Sequence, residues 1–140
     1  MELYLLHPVA VHFPIALLTF GLGAAAVAAL RGRPEWLHDA ASRLLWVGTA
    51  AVWAALGLGL LAEDTVPHVP TAWRTMNEHK TLAFWTAGLF TALSAWRFFF
   101  GRRYEKAFLL GWVLAAGVLA ATGWHGGELV FRHGVGFLKE

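Results

Sequence analysis

The chain has 140 residues, of which 58% are apolar and only 14% charged, with a formal net charge of +2 and no cysteine. A soluble domain this small cannot keep so many apolar groups dry. The composition therefore excludes disorder, a secreted disulfide scaffold and a nucleic-acid-binding module, disfavours a soluble enzyme, and points to a membrane protein.

Runs free of Asp, Glu, Lys and Arg mark four spans, each close to the roughly 20 residues a helix needs to cross the hydrocarbon. The first covers about 8–30. Pro8 suits the first position of a helix, with His7 just outside. Pro14 either kinks this helix and frees the carbonyl of Ala10, or is itself the start. The segment is not a signal peptide, since Met1 to Leu6 holds no Lys or Arg and no cleavage pattern follows.

The second span covers 44–62, with Glu63-Asp64 at its outer end in water. The third covers 79–100, charge-free from Thr81 to Trp96 and extended to Phe100 if Arg97 snorkels. Thr75-Met76-Asn77-Glu78 reads as a capping box, which places His79 one turn inside. The fourth covers 107–125 and is ended by Gly126-Gly127. Residues 126–140 are too short and too mixed to span, and are expected to lie along the outer interface, turning Arg132 and His133 back towards the bundle. Short connections make the whole chain 1–140 one all-α domain, an integral membrane up-down-up-down four-helix bundle.

The side holding the loops after the first and third spans carries seven Lys and Arg, the side holding both termini four. Basic residues mark the cytoplasmic face, so both termini are expected outside. Trp36, Trp46, Trp96 and Trp112 fall near one interface and Trp73 and Trp124 near the other, as in an aromatic belt.

Of seven histidines, only His38 falls on the cytoplasmic side, in a loop, where it is read as solvated together with His68. His12, His79 and His125 lie within about a turn of a span's outer end, where ionisable groups mark function. The first and third helices of such a bundle are diagonal. His12 and His79, at matched depth, can therefore face each other through its axis, the geometry of bis-histidine haem ligation. His7 and His133 can serve a second haem, a propionate, or a quinol or proton site, and Arg132 a propionate or a lipid phosphate.

His7-Pro8-Val9-Ala10-Val11-His12-Phe13-Pro14-Ile15-Ala16 resembles the opening of a bacterial domain-of-unknown-function family of four-helix inner-membrane proteins. Gly126-Gly127-Glu128-Leu129-Val130-Phe131-Arg132-His133-Gly134-Val135-Gly136 resembles its closing motif, and His79 matches its middle histidine. His125 departs from that pattern, in which a non-ligating residue is usual. The family is similar to the cytochrome b superfamily, and its members are often joined to Rieske iron–sulfur or c-type cytochrome domains. The resemblance implies electron transfer in the bacterial inner membrane.

The leading expectation is a small b-type cytochrome holding one or two non-covalent haem b groups near the outer face, exchanging electrons with quinol or with a Rieske or c-type domain. The alternatives are a Zn, Cu or Fe site built from His7, His12, His79, His133 and Glu128, or a scaffold subunit of a respiratory complex. A hydrolase is disfavoured for want of a triad order, and four spans without a repeat leave little room for a transporter. Beyond membrane lipid, a second copy is a conceivable partner through small-residue seams such as Ala83-x-x-x-Ala87.

Overall fold

The computed structural model describes residues 3–31 and 35–136, and every regular element in them is helical. A short 3-10 turn leads into α1 (Leu6–Ala10), followed by α2 (His12–Arg31), α3 (Glu35–Thr65), α4 (Trp73–Phe100) and α5 (Glu105–Phe131). α1 and α2 are one helix bent at Val11, and the bend has a cause. Pro14 has no N–H to offer the carbonyl of Ala10, so the ladder runs as far as Val11 N–H on the carbonyl of His7, breaks at Ala10 and resumes with Ile15 N–H on the carbonyl of Val11. Pro14 thus kinks the first helix rather than starting it. Arg33, Lys139 and the last residues of the expected interfacial tail lie outside the described residues.

By length and composition, Leu6–Leu30, Glu35–Thr65 and Glu105–Phe131 are long and apolar enough to cross a membrane. α4 is long enough, but Thr81, Thr86, Thr91, Ser94 and Arg97 make it less apolar. Two of these polar residues, Thr86 and Arg97, are buried. The outer surface carries large apolar side chains from every long helix, among them Phe20 (75% exposed), Phe99 and Phe131 (87% exposed). Such a surface suits hydrocarbon, where the helical backbone satisfies its own hydrogen bonds.

α2 packs chiefly on α3 and α4 chiefly on α5, with lesser seams between α3 and α4 and between α2 and α5. Contacts across the α3–α4 seam run in opposite chain order: Glu63 meets Lys80, Trp53 meets Thr91, and Thr49 meets Ser94. The core is built on Leu18, Leu45, Phe90, Phe108 and Trp112. Trp112, expected in the interfacial belt, is instead fully buried edge-to-face against Phe108. Gly21 makes room for it, since a Cβ there would stand 3.0 Å from the indole.

Three further expectations change. Arg97 does not snorkel. It is 6% exposed, donates to both carboxylate oxygens of Glu105 at 3.2 and 3.1 Å, and lies 4.0 Å over the Phe108 ring. A turn with positive φ at Gly101 and Tyr104 brings Glu105 there. His38 is not free in solvent, because its Nδ1 lies 3.9 Å from the same Glu105. Nor does Gly126-Gly127 end the last helix. α5 runs on to Phe131 and stops near the left-handed Gly134, where Val135 N–H reaches the carbonyl of Leu129. Two helical glycines cost about 1 kcal/mol each, and the burial of Leu129 offsets this at about 1.5–3 kcal/mol.

Candidate functional site

At the end of the bundle opposite Arg97, two histidines from different helices share one cavity. His7 of α1 donates its Nδ1–H to the carbonyl of Ala55 on α3 at 2.9 Å. His79 of α4 donates its Nδ1–H to the carbonyl of Thr122 on α5, also at 2.9 Å. A carbonyl oxygen only accepts, so each neutral ring carries its proton on Nδ1 and keeps the lone pair on Nε2. Metal-ligating histidines are held in this way, one nitrogen tied to the protein and the other free. The rings meet edge to face with centroids 6.2 Å apart.

Both rings line a cavity of ≈ 580 Å³, within the range of small-molecule sites. Its wall is mainly apolar, with Val52, Leu56, Ala83 and Leu119 at depth. The charged groups on it are Glu63 and Lys80, which pair at 2.6 and 2.8 Å. Glu63 therefore spends its charge on α4 rather than standing in water as the end of the second span.

The structure distributes the expected residues unevenly. His79 stands nearly two turns into α4, not one. The helix starts at Trp73, with Thr75 and Glu78 inside it and no capping box: Thr75 Oγ1 lies 3.2 Å from His133 Nε2, while Glu78 accepts from Arg74. His12 is exposed, and its Nδ1 donates to the carbonyl of Pro8 in its own chain turn at 2.7 Å. His12 borders the same cavity, yet His7 is the residue brought against His79. His133 is seated on Thr75, outside the pair. Arg132 is exposed and bonds Glu128 at 3.2 Å instead of turning back to the histidines. His125 donates to the carbonyl of Ala121, with its Nε2 3.7 Å from Glu78.

The set His7, His12, His79, His133 and Glu128 is therefore not gathered into one centre. Among the described residues, no three or more His, Asp or Glu side chains converge to hold a metal ion. Sequence reasoning also missed Ala55, Gly59, Thr122 and Gly126, the seats on which the two imidazoles rest.

No curated protein and no solved structure matches the chain. A family model described as "Predicted membrane protein (DUF2231)" matches residues 5–139.

Proposed function

The chain belongs to the DUF2231 family of predicted membrane proteins, and from that premise we propose that it is a small b-type cytochrome whose haem is held by His7 and His79. The observation that carries this reading is the pair itself: two imidazoles from different helices, each with Nδ1–H tied to a backbone carbonyl, on the wall of one apolar cavity. The ring centroids lie 6.2 Å apart, so one metal-bearing group could be held by both imidazoles. A porphyrin brings four nitrogens and asks two ligands of the protein. A bare structural or catalytic metal asks three or four. His12 borders the same cavity, but among the described residues no three His, Asp or Glu side chains converge there, so the pair His7 and His79 fits the first demand better than the second.

Haem supplies reversible one-electron chemistry. The chain's part is to orient the two rings, to exclude water with the apolar wall, and to keep charge balanced near the site through the Glu63–Lys80 pair. The protein is an up-down-up-down bundle of the bacterial inner membrane with both termini outside, as the distribution of Lys and Arg favours. Electrons then enter and leave on the outer face, from quinol or from a Rieske or c-type domain. At the other end, His38 is engaged near Glu105 and offers no pair.

The test is a reduced-minus-oxidised spectrum of the protein purified from a haem-replete host, with extraction of the pigment. A low-spin haem signal at about one equivalent is expected. A colourless protein that takes up no haem on titration overturns the reading.

A further inference from the structure

The two histidines are seated by one device, used once in each half of the bundle. Each reaches from its own helix to a carbonyl on the next long helix, Ala55 on α3 for His7 and Thr122 on α5 for His79. Each carbonyl is followed four residues later by a glycine, Gly59 and Gly126, and each ring lies against that glycine. A Cβ on Gly59 would stand 2.9 Å from His7 Cε1, and a Cβ on Gly126 would stand 3.1 Å from His79 Cε1.

The spacing has a physical reason. In an α-helix the carbonyl of residue i already accepts the N–H of residue i+4. The Cβ of residue i+4 tilts back towards the N-terminus and stands beside that oxygen. With glycine at i+4 the flank of the oxygen is open, and its second lone pair is available to a donor from another helix. A side chain there fills the space the imidazole needs.

We propose that Gly59 and Gly126 are positioning residues that fix His7 and His79 as Nδ1–H tautomers, so that both present an Nε2 lone pair to the metal of the cofactor. The metal-binding role rests on the cytochrome reading; the tautomer assignment does not. Gly57 and Gly117, which do not line the cavity, are internal controls. They lie on the same two helices, exposed, with nothing within 4 Å of an added Cβ.

The experiment is nitrogen-15 NMR of histidine-labelled, haem-free protein in lipid, with haem titration of the same samples. In the wild type, His7 and His79 are each expected to show a protonated Nδ1 and an unprotonated Nε2. Gly59→Ala should abolish the single-tautomer signal of His7 and leave that of His79, and Gly126→Ala should do the reverse to a smaller extent. Gly57→Ala and Gly117→Ala should change neither. A wild-type spectrum with the proton on Nε2 of either ring overturns the proposal even if a glycine variant fails to fold. So does an unchanged His7 signal in Gly59→Ala. Tautomers that respond as stated in a protein that never takes up haem sink the cytochrome reading alone. Haem uptake with unresponsive tautomers sinks the positioning role alone.

Discussion

The imidazoles of His7 and His79 meet edge to face at 6.2 Å, with their planes 77° apart, although one belongs to the first helical hairpin and the other to the second. The contact crosses the bundle where α1 and α4 come together at the histidine-rich end. Any group that bonds to both rings therefore joins the two halves of the molecule.

His7→Ala and His79→Ala should each weaken haem binding by more than the roughly 10–100-fold that loss of an outer-shell partner costs a metal site. Any haem retained should turn high-spin, since a coordination position opens on the iron. His12→Ala should leave the spectrum as it is, because His12 is exposed and engaged with Pro8. Haem titration followed by absorption spectroscopy checks all three; a wild-type spectrum in His7→Ala would move the ligand elsewhere.

Glu105→Gln should destabilise the bundle by about 3–5 kcal/mol, because it strands a buried guanidinium. Arg97 is 6% exposed and directs two nitrogens at Glu105. The double variant Arg97→Met, Glu105→Leu should recover most of the loss, since it removes both charges together. Unfolding in a denaturing detergent, followed by circular dichroism, measures this, and a single variant within about 1 kcal/mol of wild type would show the pair to be dispensable.

A double-mutant cycle on Thr86→Val and Thr122→Val should give a coupling of about 0.6 kcal/mol, and no more than about 1.7. The two hydroxyls lie 2.9 Å apart across the α4–α5 seam, and each also bonds a carbonyl in its own helix. Those local partners remain when the seam is broken, which keeps the coupling small. The same unfolding assay reads it, and additive single effects would mean that the hydroxyls act only within their helices.

Gly48→Ala should destabilise by about 1–3 kcal/mol through overpacking. Its added Cβ would stand 2.6 Å from Leu18 Cδ2, and Leu18 is fully buried among core side chains with no room to retreat. Gly88→Ala should be neutral or stabilising by up to about 1 kcal/mol, since it gains helix propensity and meets nothing within 4 Å. Equal effects at the two positions would contradict this packing.

Charge-free runs were enough to locate the long helices, because each is set by local chemistry repeated over about 20 residues, but not their starts: α3 begins at Glu35 and α4 at Trp73, in charged stretches ahead of the expected spans. What they could not convey is rotation. His7 and His12 are five positions apart, and at 3.6 residues per turn they leave the helix in widely different directions. Counting depth from Pro8 puts His12 about a turn inside and His7 just outside, which singles out the wrong ring; only packing against α3 says which one turns inward. Arg97 likewise looks like an interfacial residue until the turn after α4 sets Glu105 beneath it. Gly126 was legible as a helix breaker by propensity alone. Its actual neighbour is the ring of His79, from a helix that no local pattern connects to it.

Each hairpin carries its own histidine already seated. His7 rests on α3 within the first, and His79 rests on α5 within the second. The half-sites can therefore form separately, and neither has a partner ring before the halves dock. On the cytochrome reading, haem would load only after the halves have docked. A host starved of haem should accumulate inserted chains whose halves come apart easily and are open to membrane proteases.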